Sequence, residues 1–364
     1  MAKAGKKSPV KIILKSILAI VIAALLVVGG YVAYVFIAYH RIGDNIALDV
    51  HGESGAELEI GKEYKILSYN IGFAAYTADF GFFMDGGTES RARSEESVRS
   101  VMGGITEIIN GVAADIAVIE EVDFDSDRSW HVDEREILAN SVNDGYAHTF
   151  VQNYDSPYLF YPITCPHGAS KSGIMTFSSF PITSSVRREL PVESGFMKLL
   201  DLDRCYSVSR LPVGEKELVV FSTHLSAYTS DGSLATEQLR LLLDDMQSEY
   251  DKGNYVICAG DFNKDLIGKG SEIFNVTNEK YTWAQPIPAE LWVGRNLTLV
   301  APFDEKLLIP SCRNADAAYY RGQYVITPDG FIVSDNVTAT ASAVIDTGFA
   351  LSDHNPVIMS FTLN

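Results

Sequence analysis

The stretch Tyr255-Val256-Ile257-Cys258-Ala259-Gly260-Asp261-Phe262-Asn263 decides how this sequence is interpreted. Its apolar, partly β-branched first half predicts a buried strand, and the glycine indicates where that strand ends. A carboxylate and an amide follow at once, although a strand needs neither. Because function in α/β domains concentrates where strands end, the ends of the other strands become the next place to look.

Other apolar runs in the chain end in polar residues in the same way. These residues are Asn70, Glu120 and Glu121, His224, and the group Ser352-Asp353-His354-Asn355-Pro356 before the last apolar run. Each occurrence alone is explained by a turn, a solvated surface group or a core histidine. Together they predict convergence, because several buried polar groups need one another or a ligand as partners.

A convergent set of this composition indicates a particular chemistry. Carboxylates and amides supply oxygen ligands for a hard divalent cation, and two imidazoles can transfer protons. Metal-assisted cleavage of phosphoesters needs both kinds of group. A zinc site is disfavoured, because the sequence has no His-x-x-His, Glu-x-x-His or Cys-x-x-Cys spacing.

After residue 62 the chain alternates short apolar runs with turns and a few helical patterns. Strands are predicted over residues 64–71, 116–122, 148–153, 173–179, 205–213, 217–225, 254–262, 324–334 and 357–363. Helices are predicted to begin at Ser94 and Ala235 and to cover residues 133–142. So many strands exceed what one open sheet usually holds, and we expect two packed sheets covered by helices.

The start of the chain predicts a membrane anchor. No charged residue lies between Ser16 and Tyr39, and at about 1.5 Å per residue this segment reaches roughly 36 Å as a helix, enough for the ~30 Å hydrocarbon layer. We predict a transmembrane signal anchor at residues 16–39, with a long cleaved signal peptide as the alternative. The lysine-rich residues 1–15 are expected to stay cytoplasmic, which places the following chain outside. Residues 40–62 are predicted to form a tether, and residues 63–364 the catalytic domain.

The composition of the chain after residue 39 limits the classes of function that it can have. Residues 1–39 hold five lysines and no acid, so 24 of the 29 basic residues and all 47 acidic ones follow them. Such a surface repels polyanions and argues against a sequence-reading nucleic-acid binder. The hydrophobic content of 47% excludes disorder of the whole chain. The four cysteines would face an oxidising compartment, where three full pairings are possible.

The motifs resemble those of the endonuclease/exonuclease/phosphatase superfamily, which includes pancreatic-type deoxyribonucleases, abasic-site endonucleases, sphingomyelinases and inositol-polyphosphate 5-phosphatases. The matching segments follow the family's order: Leu-Ser-Tyr-Asn at 67–70, Val-Ile-Glu-Glu-Val at 118–122, Ser-Gly-Ile at 172–174 with Phe-Pro-Ile at 180–182, Ser-Thr-His-Leu at 222–225, Gly-Asp-Phe-Asn at 260–263 and Ser-Asp-His-Asn-Pro at 352–356. Where the family has a Gln-Glu pair this chain has Glu120-Glu121, and Asp329 is the best match to the family's late aspartate.

The resemblance implies an α/β fold, a four-layer α/β/β/α sandwich of two mixed β-sheets flanked by helices, here preceded by one transmembrane helix. It implies that Glu121, with Asn70 and Asp353, holds Mg²⁺, with Mn²⁺ as the alternative.

The resemblance also implies catalytic roles. Asp261, oriented by Asn263, would position or deprotonate the attacking water, while His354 with Asp329, and His224, would contact the phosphoryl oxygens. Whether Asp261 or His354 is the base stays open. Asn153 and Tyr154 follow a strand and are candidates for phosphate binding, although a turn explains them equally well.

These inferences predict a membrane-anchored, extracytoplasmic, metal-dependent phosphoesterase. Its substrate would be a phosphodiester of nucleic acid or of a phospholipid headgroup, and it would contact the lipid bilayer through residues 16–39. The sequence indicates no particular protein partner. The absence of a run of Lys or Arg after residue 39 does not favour a nuclease. The alternative is a catalytically silent binding or scaffold module on the same fold.

Overall fold

The computed structural model describes residues 9–52, 54–194, 198, 203–227, 233–276 and 284–364. The chain divides into two units, residues 1–41 and residues 42–364. In the first unit the helix α1 (Pro9–Ala38) is long and apolar enough to cross a membrane. Three of the lysines expected on the cytoplasmic side, Lys3, Lys6 and Lys7, lie outside the described residues.

The second unit contains the strands and the remaining helices. The strands are β1 (Ile46–Leu48), β2 (Val50–His51), β3 (Glu63–Asn70), β4 (Ile116–Asp123), β5 (Ala147–Leu159), β6 (Gly168–Ser178), β7 (Ser184–Glu189), β8 (Cys205–Val213), β9 (Lys216–His224), β10 (Tyr255–Asp261), β11 (Leu297–Val300), β12 (Cys312–Arg313), β13 (Val325–Ile326), β14 (Asp329–Ser334), β15 (Val337–Val344) and β16 (Val357–Leu363). The helices are α2 (Glu95–Val112), α3 (Glu134–Ser141), α4 (Ser233–Asp251) and α5 (Gly270–Ile273).

Two large mixed sheets form the centre of this unit. The first has the strand order β1-β7-β8-β9-β10-β14-β11, and the second has the order β15-β16-β3-β4-β6-β5-β2. Strands β9 and β10 are parallel in the first sheet, and β3 and β4 are parallel in the second. The short strands β12 and β13 pair separately.

Three apolar clusters arrange the sheets and helices in layers. One cluster contains inward side chains of both sheets, including Ile66, Val118 and Ile257. A second lies under α2 and α3 on the outer face of the second sheet, and a third lies under α4 on the outer face of the first. The predicted four-layer α/β/β/α sandwich is therefore confirmed.

Local sequence accounts for the covering helices. Ser94 accepts a hydrogen bond from the Ser97 backbone N–H, and the Ser97 hydroxyl in turn accepts one from Ser94, which satisfies free donors at the start of α2. The buried residues of this helix, Val98, Val101, Met102, Ile105 and Ile109, recur at helical spacing. One stripe of α2 thus covers the sheet, and the rest faces solvent.

The twofold alternation of strand side chains carries polar residues to the inner face at one end of the sandwich. In β10, Ile257 and Ala259 face the inner core, and Asp261 continues the same face. In β3, Tyr64 and Ile66 do so, and Asn70 continues that face. We refer to this end, where both strands terminate, as the carboxyl end.

Residues 42–51 differ from the predicted tether. Strand β1 pairs with β7 at the edge of the first sheet, and β2 pairs with β5 at the edge of the second. The buried Arg187 guanidinium donates to the carbonyl oxygens of Ile42 and Gly43 at 2.9 and 2.8 Å, and the Ile42 N–H donates to Asp203. The compact unit that contains both sheets begins at Ile42. Its two short edge strands were not predicted, because this acidic, glycine-containing stretch has little hydrophobic pattern.

All four cysteines lie among the described residues, and none of them forms a disulfide. Cys205, Cys258 and Cys312 are buried, and Cys165 is exposed. Cys258 lies on the outer face of β10 among apolar side chains, where it packs as a small hydrophobic residue.

Candidate active site

Three neighbouring strands of the first sheet bring polar residues into register at the carboxyl end. Asp261 pairs with His224 across the parallel β9–β10 ladder and with Asp329 across the antiparallel β10–β14 ladder. Gly260 allows this close pairing, since a Cβ there would lie 1.9 Å from the Thr223 carbonyl oxygen. Consecutive strands thus place two carboxylates and an imidazole side by side.

Asn70 joins the two sheets at this end. Its amide Nδ2 donates to Asp261 Oδ2 at 3.2 Å and to Glu121 Oε1 at 3.3 Å, while its Oδ1 accepts from the Gly72 N–H at 3.0 Å. Asn70 and Asp261 are both almost completely buried. The convergence expected from the strand ends is therefore present in the fold.

Asp261 is oriented from one side and faces the site with the other. The backbone N–H of Asn263 donates to Asp261 Oδ1 at 2.8 Å, and the Asn263 side chain donates to the Leu225 carbonyl. Asp261 Oδ2 lies 3.6 Å from His224 Nε2 and 3.8 Å from His354 Nε2. One carboxylate oxygen is thus fixed by the backbone, and the other lies between two imidazoles.

His354 and Asp329 form a buried pair. His354 Nδ1 lies 3.0 and 2.9 Å from the two carboxylate oxygens of Asp329, so the imidazole donates to this carboxylate. The Ser311 hydroxyl donates to Asp329 at 2.6 Å, and the Ser352 hydroxyl accepts from the His354 N–H at 3.1 Å. These bonds direct His354 Nε2 towards Asp261.

The buried groups have shifted pKa values. Burial raises the pKa of Asp261 to about 7, with the negative charge of Asp329 adding to the rise. Burial alone would lower the pKa of His354, but the charge and hydrogen bonds of Asp329 outweigh it and raise this pKa well above its usual value. Burial, together with the positive charge of Arg204, lowers the pKa of His224 well below its usual range. The two histidines therefore differ in protonation at neutral pH.

Glu121 lies in a bulge of β4. The register between β4 and β6 shifts between Ile119 and Val122, and Glu121 has a left-handed φ of 57°. A non-glycine residue in this conformation costs on the order of 1 kcal/mol, and such positions cluster at functional sites. The bulge places Glu120 and Glu121 differently: Glu120 is fully buried and accepts from Ser68, whereas the half-buried Glu121 borders the site.

Glu121 and Asp353 offer carboxylate oxygens that suit a hard divalent cation, and Asn70 offers an amide oxygen that also accepts from the Gly72 N–H. Burial raises the pKa of Asp353 to about 6, and the nearby charge of Glu121 adds to the rise. The neighbouring Arg313 guanidinium is bonded to the backbone carbonyls of Thr77, Phe80 and Ala317. A cation that neutralises these oxygen donors matches the preference of Mg²⁺ for carboxylate and amide oxygens.

A second group of ligand atoms lies nearby. One ligand atom each of Asp261, Asp329 and His354 lie within 4.8 Å of one another. In this group His354 Nδ1 is already bonded to Asp329. The atoms that remain to face the pocket are His354 Nε2 and Asp261 Oδ2.

A pocket opens over these residues at the carboxyl end. It encloses about 530 Å³, including open solvent at its mouth, and among the sequence-predicted residues it is lined by Glu121, His224, Asp261, Asn263, Asp353 and His354. Asn70 and Asp329 do not line the pocket but bond to residues that do.

Asn153 and Tyr154 are not brought to the pocket lining. Asn153 lies at a register shift of β5, buried, with its Nδ2 without a hydrogen-bond partner among the described residues. The Tyr154 ring faces the Arg128 guanidinium at 5.5 Å, and Arg128 is held by two bonds to Asp123. A phosphate-binding role for Asn153 and Tyr154 stays a prediction.

Other pocket residues were not found from the sequence. Tyr76, Asp85, Arg204, Arg313 and Asn314 also line the pocket. Tyr76 and Asn314 lie in loops, Asp85 ends a short 3-10 helix (Phe83–Asp85), and Arg313 belongs to the two-residue strand β12. Motif position could not single these residues out, because tertiary packing brings them to the site.

Comparison with known proteins identifies the fold. The model of the Endonuclease/Exonuclease/phosphatase family matches residues 67–354. The solved endonuclease/exonuclease/phosphatase from Beutenbergia cavernae DSM 12333 superposes with a TM-score of 0.53 at 19% identity, covering 83% of this chain and 72% of its own. A search of curated protein sequences gave no match.

A second solved structure is ANGEL2, described as a 2′,3′-cyclic phosphatase, in complex with adenosine-2′,3′-vanadate. It superposes with a TM-score of 0.53 at 18% identity, covering 87% of this chain and 99% of its own. At such identities the likeness shows a shared fold. Since the family model spans most of the chain, from the end of β3 to His354, this protein belongs to the endonuclease/exonuclease/phosphatase family.

Proposed function

We propose that this protein is a membrane-anchored, metal-dependent hydrolase of phosphodiesters whose catalytic domain lies outside the cytoplasm. The single observation that supports catalysis most strongly is the environment of Asp261 Oδ2, which lies within 3.2 to 3.8 Å of Asn70, His224 and His354. A silent binding module does not need a carboxylate and two imidazoles held this closely in a pocket.

Each residue has a defined part in this proposal. Asp261, held by the Asn263 backbone, positions a water molecule and accepts its proton as the water oxygen attacks the phosphorus. The P–O bond to the leaving oxygen breaks in this step, and one of the two imidazoles protonates that oxygen. His354, oriented by Asp329, donates a hydrogen bond from Nε2 to a phosphoryl oxygen, and His224 does the same from the neighbouring strand. In the open alternative, His354 rather than Asp261 accepts the proton of the attacking water.

Glu121, Asn70 and Asp353 are the proposed ligands of Mg²⁺ or Mn²⁺. When bound, the cation supplies a Lewis acid that offsets charge on the phosphate oxygens. This choice of metal is supported because the proposed ligand atoms are all oxygens. It is also supported because the carboxylates of Glu121 and Asp353 lie close enough for the charge of Glu121 to raise the pKa of Asp353.

The test of catalysis is turnover of bis-(p-nitrophenyl) phosphate by the full chain in detergent, with and without Mg²⁺. We expect turnover that depends on Mg²⁺ or Mn²⁺, followed by cleavage of one class among plasmid DNA, RNA and sphingomyelin. Absence of turnover with either metal on all four substrates contradicts the proposed activity and favours the scaffold alternative.

The proposed location follows from α1 and the lysines that precede its apolar part. Protease added to intact cells or spheroplasts is expected to remove the domain of residues 42–364, while a cytoplasmic control protein stays intact. A domain that is protected until the cells are lysed contradicts the extracytoplasmic orientation.

A further inference from the structure

The connection between β5 and β6 forms an exposed apolar projection, which we call the hairpin tip (residues 159–167). Phe160, Tyr161 and Ile163 are 56%, 67% and 86% exposed. From Ser156 to Ser170 the sequence contains no Asp, Glu, Lys or Arg. In a domain with nearly twice as many acidic as basic residues, an uncharged stretch with three large exposed apolar side chains indicates a contact surface.

The tip is held in a fixed conformation. The Cys165 N–H donates to the Pro162 carbonyl and the His167 N–H to the Tyr161 carbonyl, each at 3.2 Å. At its base the Ser90 hydroxyl donates to the Cys165 carbonyl at 2.5 Å, and the Arg91 guanidinium donates to the Pro166 carbonyl. The exposed side chains are thus presented outwards from a braced turn.

Strand register places the tip beyond the carboxyl end of the sheets. Asp123, the last residue of β4, pairs with Ser172 of β6, whereas β5 and β6 continue their pairing to Leu159 and Gly168. Four residues of strand extend about 13 Å. The tip therefore projects past the end where the pocket opens.

Aromatic contacts connect the tip to the pocket. The Tyr161 ring lies 5.6 Å from Phe83, and Phe83 lies 4.8 Å from Phe82. Phe82 lies 5.3 Å from Tyr76, which lines the pocket. The tip and the pocket mouth thus belong to one side of the domain.

The first residue of the domain lies at this same end. Ile42 donates to Asp203, directly before Arg204 of the pocket lining, and β8 starts at Cys205 beside the end of β9. Helix α1 ends at Ala38. Four residue steps, which reach at most about 14 Å, join Ala38 to Ile42.

We propose that the hairpin tip inserts into the headgroup layer of the bilayer that α1 crosses, as a second membrane contact that turns the pocket mouth towards the lipid surface. This rests on the membrane anchoring proposed above. Phe and Ile supply apolar area for burial, and Tyr suits the boundary between lipid and water. A net acidic domain is repelled by anionic lipids, so a zwitterionic surface is the expected occupant.

Cys165 provides a probe within the tip. Since Cys205, Cys258 and Cys312 are buried, a nitroxide reagent should label the full chain at Cys165. In phosphatidylcholine vesicles we expect this label to be more accessible to oxygen than to a water-soluble nickel chelate. The matched control is Val293→Cys in a Cys165→Ser chain, because Val293 is 78% exposed and lies near Leu297, which pairs with Ser334 at the opposite end of the sheets. Its label should favour the nickel chelate.

A variant with Phe160→Ser, Tyr161→Ser and Ile163→Ser, labelled at Cys165, should lose the preference for oxygen while keeping turnover of bis-(p-nitrophenyl) phosphate. A Cys165 label as accessible to nickel chelate as the Val293→Cys label overturns the proposal, and so does a triple variant whose label stays immersed. If α1 does not anchor the chain in the bilayer, the full chain will not float with vesicles, and this result is distinct from failure of the hairpin tip to insert. If the proposed catalytic activity is wrong, turnover of bis-(p-nitrophenyl) phosphate will be missing while flotation and the accessibility of the Cys165 label stay as expected.

Discussion

Asp261→Asn and His354→Ala should each reduce phosphodiester turnover by about 10²–10⁴-fold, the effect expected for the loss of a positioned acid or base. In Asp261→Asn the new amide would still offer an oxygen to the Asn263 N–H, but it would no longer place a charge between the two imidazoles. Because the two groups act on the same reaction centre, the double variant should be scarcely slower than the more damaged single variant. The measurement is turnover on one phosphodiester at saturating Mg²⁺, with thermal melting of each variant.

Two controls separate chemistry from folding. Asp265→Asn changes another buried aspartate of the same loop, whose oxygens accept from the N–H groups of Ile267, Gly268 and Gly270, and turnover per folded molecule should stay near the parental rate. His354→Asn keeps a donor for Asp329, so it should melt closer to the parent than His354→Ala while being equally slow. Folded single variants with near-parental rates would remove both residues from the mechanism.

Glu121→Gln should lower the affinity for Mg²⁺ and the turnover, while the free energy of unfolding should change within the ~0.5–3 kcal/mol usual for single substitutions. The reason is that an amide replaces one of the two charged oxygen donors at the proposed metal site. Calorimetric titration with Mg²⁺ and the Mg²⁺ dependence of turnover measure the effect, and EDTA should reproduce it in the parent.

The adjacent residue gives the matched control for this substitution. Glu120→Gln alters a fully buried carboxyl group that accepts from Ser68 and lies on the other side of the bulge. It should leave Mg²⁺ affinity near the parental value. Equal loss of affinity in both variants, or activity that survives chelation, contradicts the assignment of Glu121 as a ligand.

The sequence predicted the central strands well because burial on both faces makes them continuous apolar runs. The predicted strands at residues 205–213 and 357–363 match β8 and β16 in full. The strand predicted over residues 324–334 is divided into β13 and β14, with Pro328 just before β14. Strands β7 and β15 were missed, since Ser184–Glu189 and Val337–Val344 are largely polar or small and lie at or near sheet edges.

The candidate site was predictable to the extent that it follows strand ends. Asn70, His224 and Asp261 each end a strand whose alternate residues face the core. The twofold periodicity of the run and the position at its end therefore identify these residues in the sequence. Ser311, which donates to Asp329, carries no such mark, because hydroxyl groups in loops are common and only the folded chain brings this one to its partner.

The two short strands formed by residues 46–51 cover one edge of each large sheet, where another copy of the chain could otherwise pair. They occupy the outermost positions of both sheets, so a chain shortened to begin at residue 63 would expose the ladder edges of β7 and β5 and deprive Arg187 of two carbonyl partners. Unpaired ladder edges are templates for aggregation and strand exchange. A water-soluble form that lacks α1 should therefore begin at or before Ile42, so that β1 and β2 still cover the ladder edges of β7 and β5.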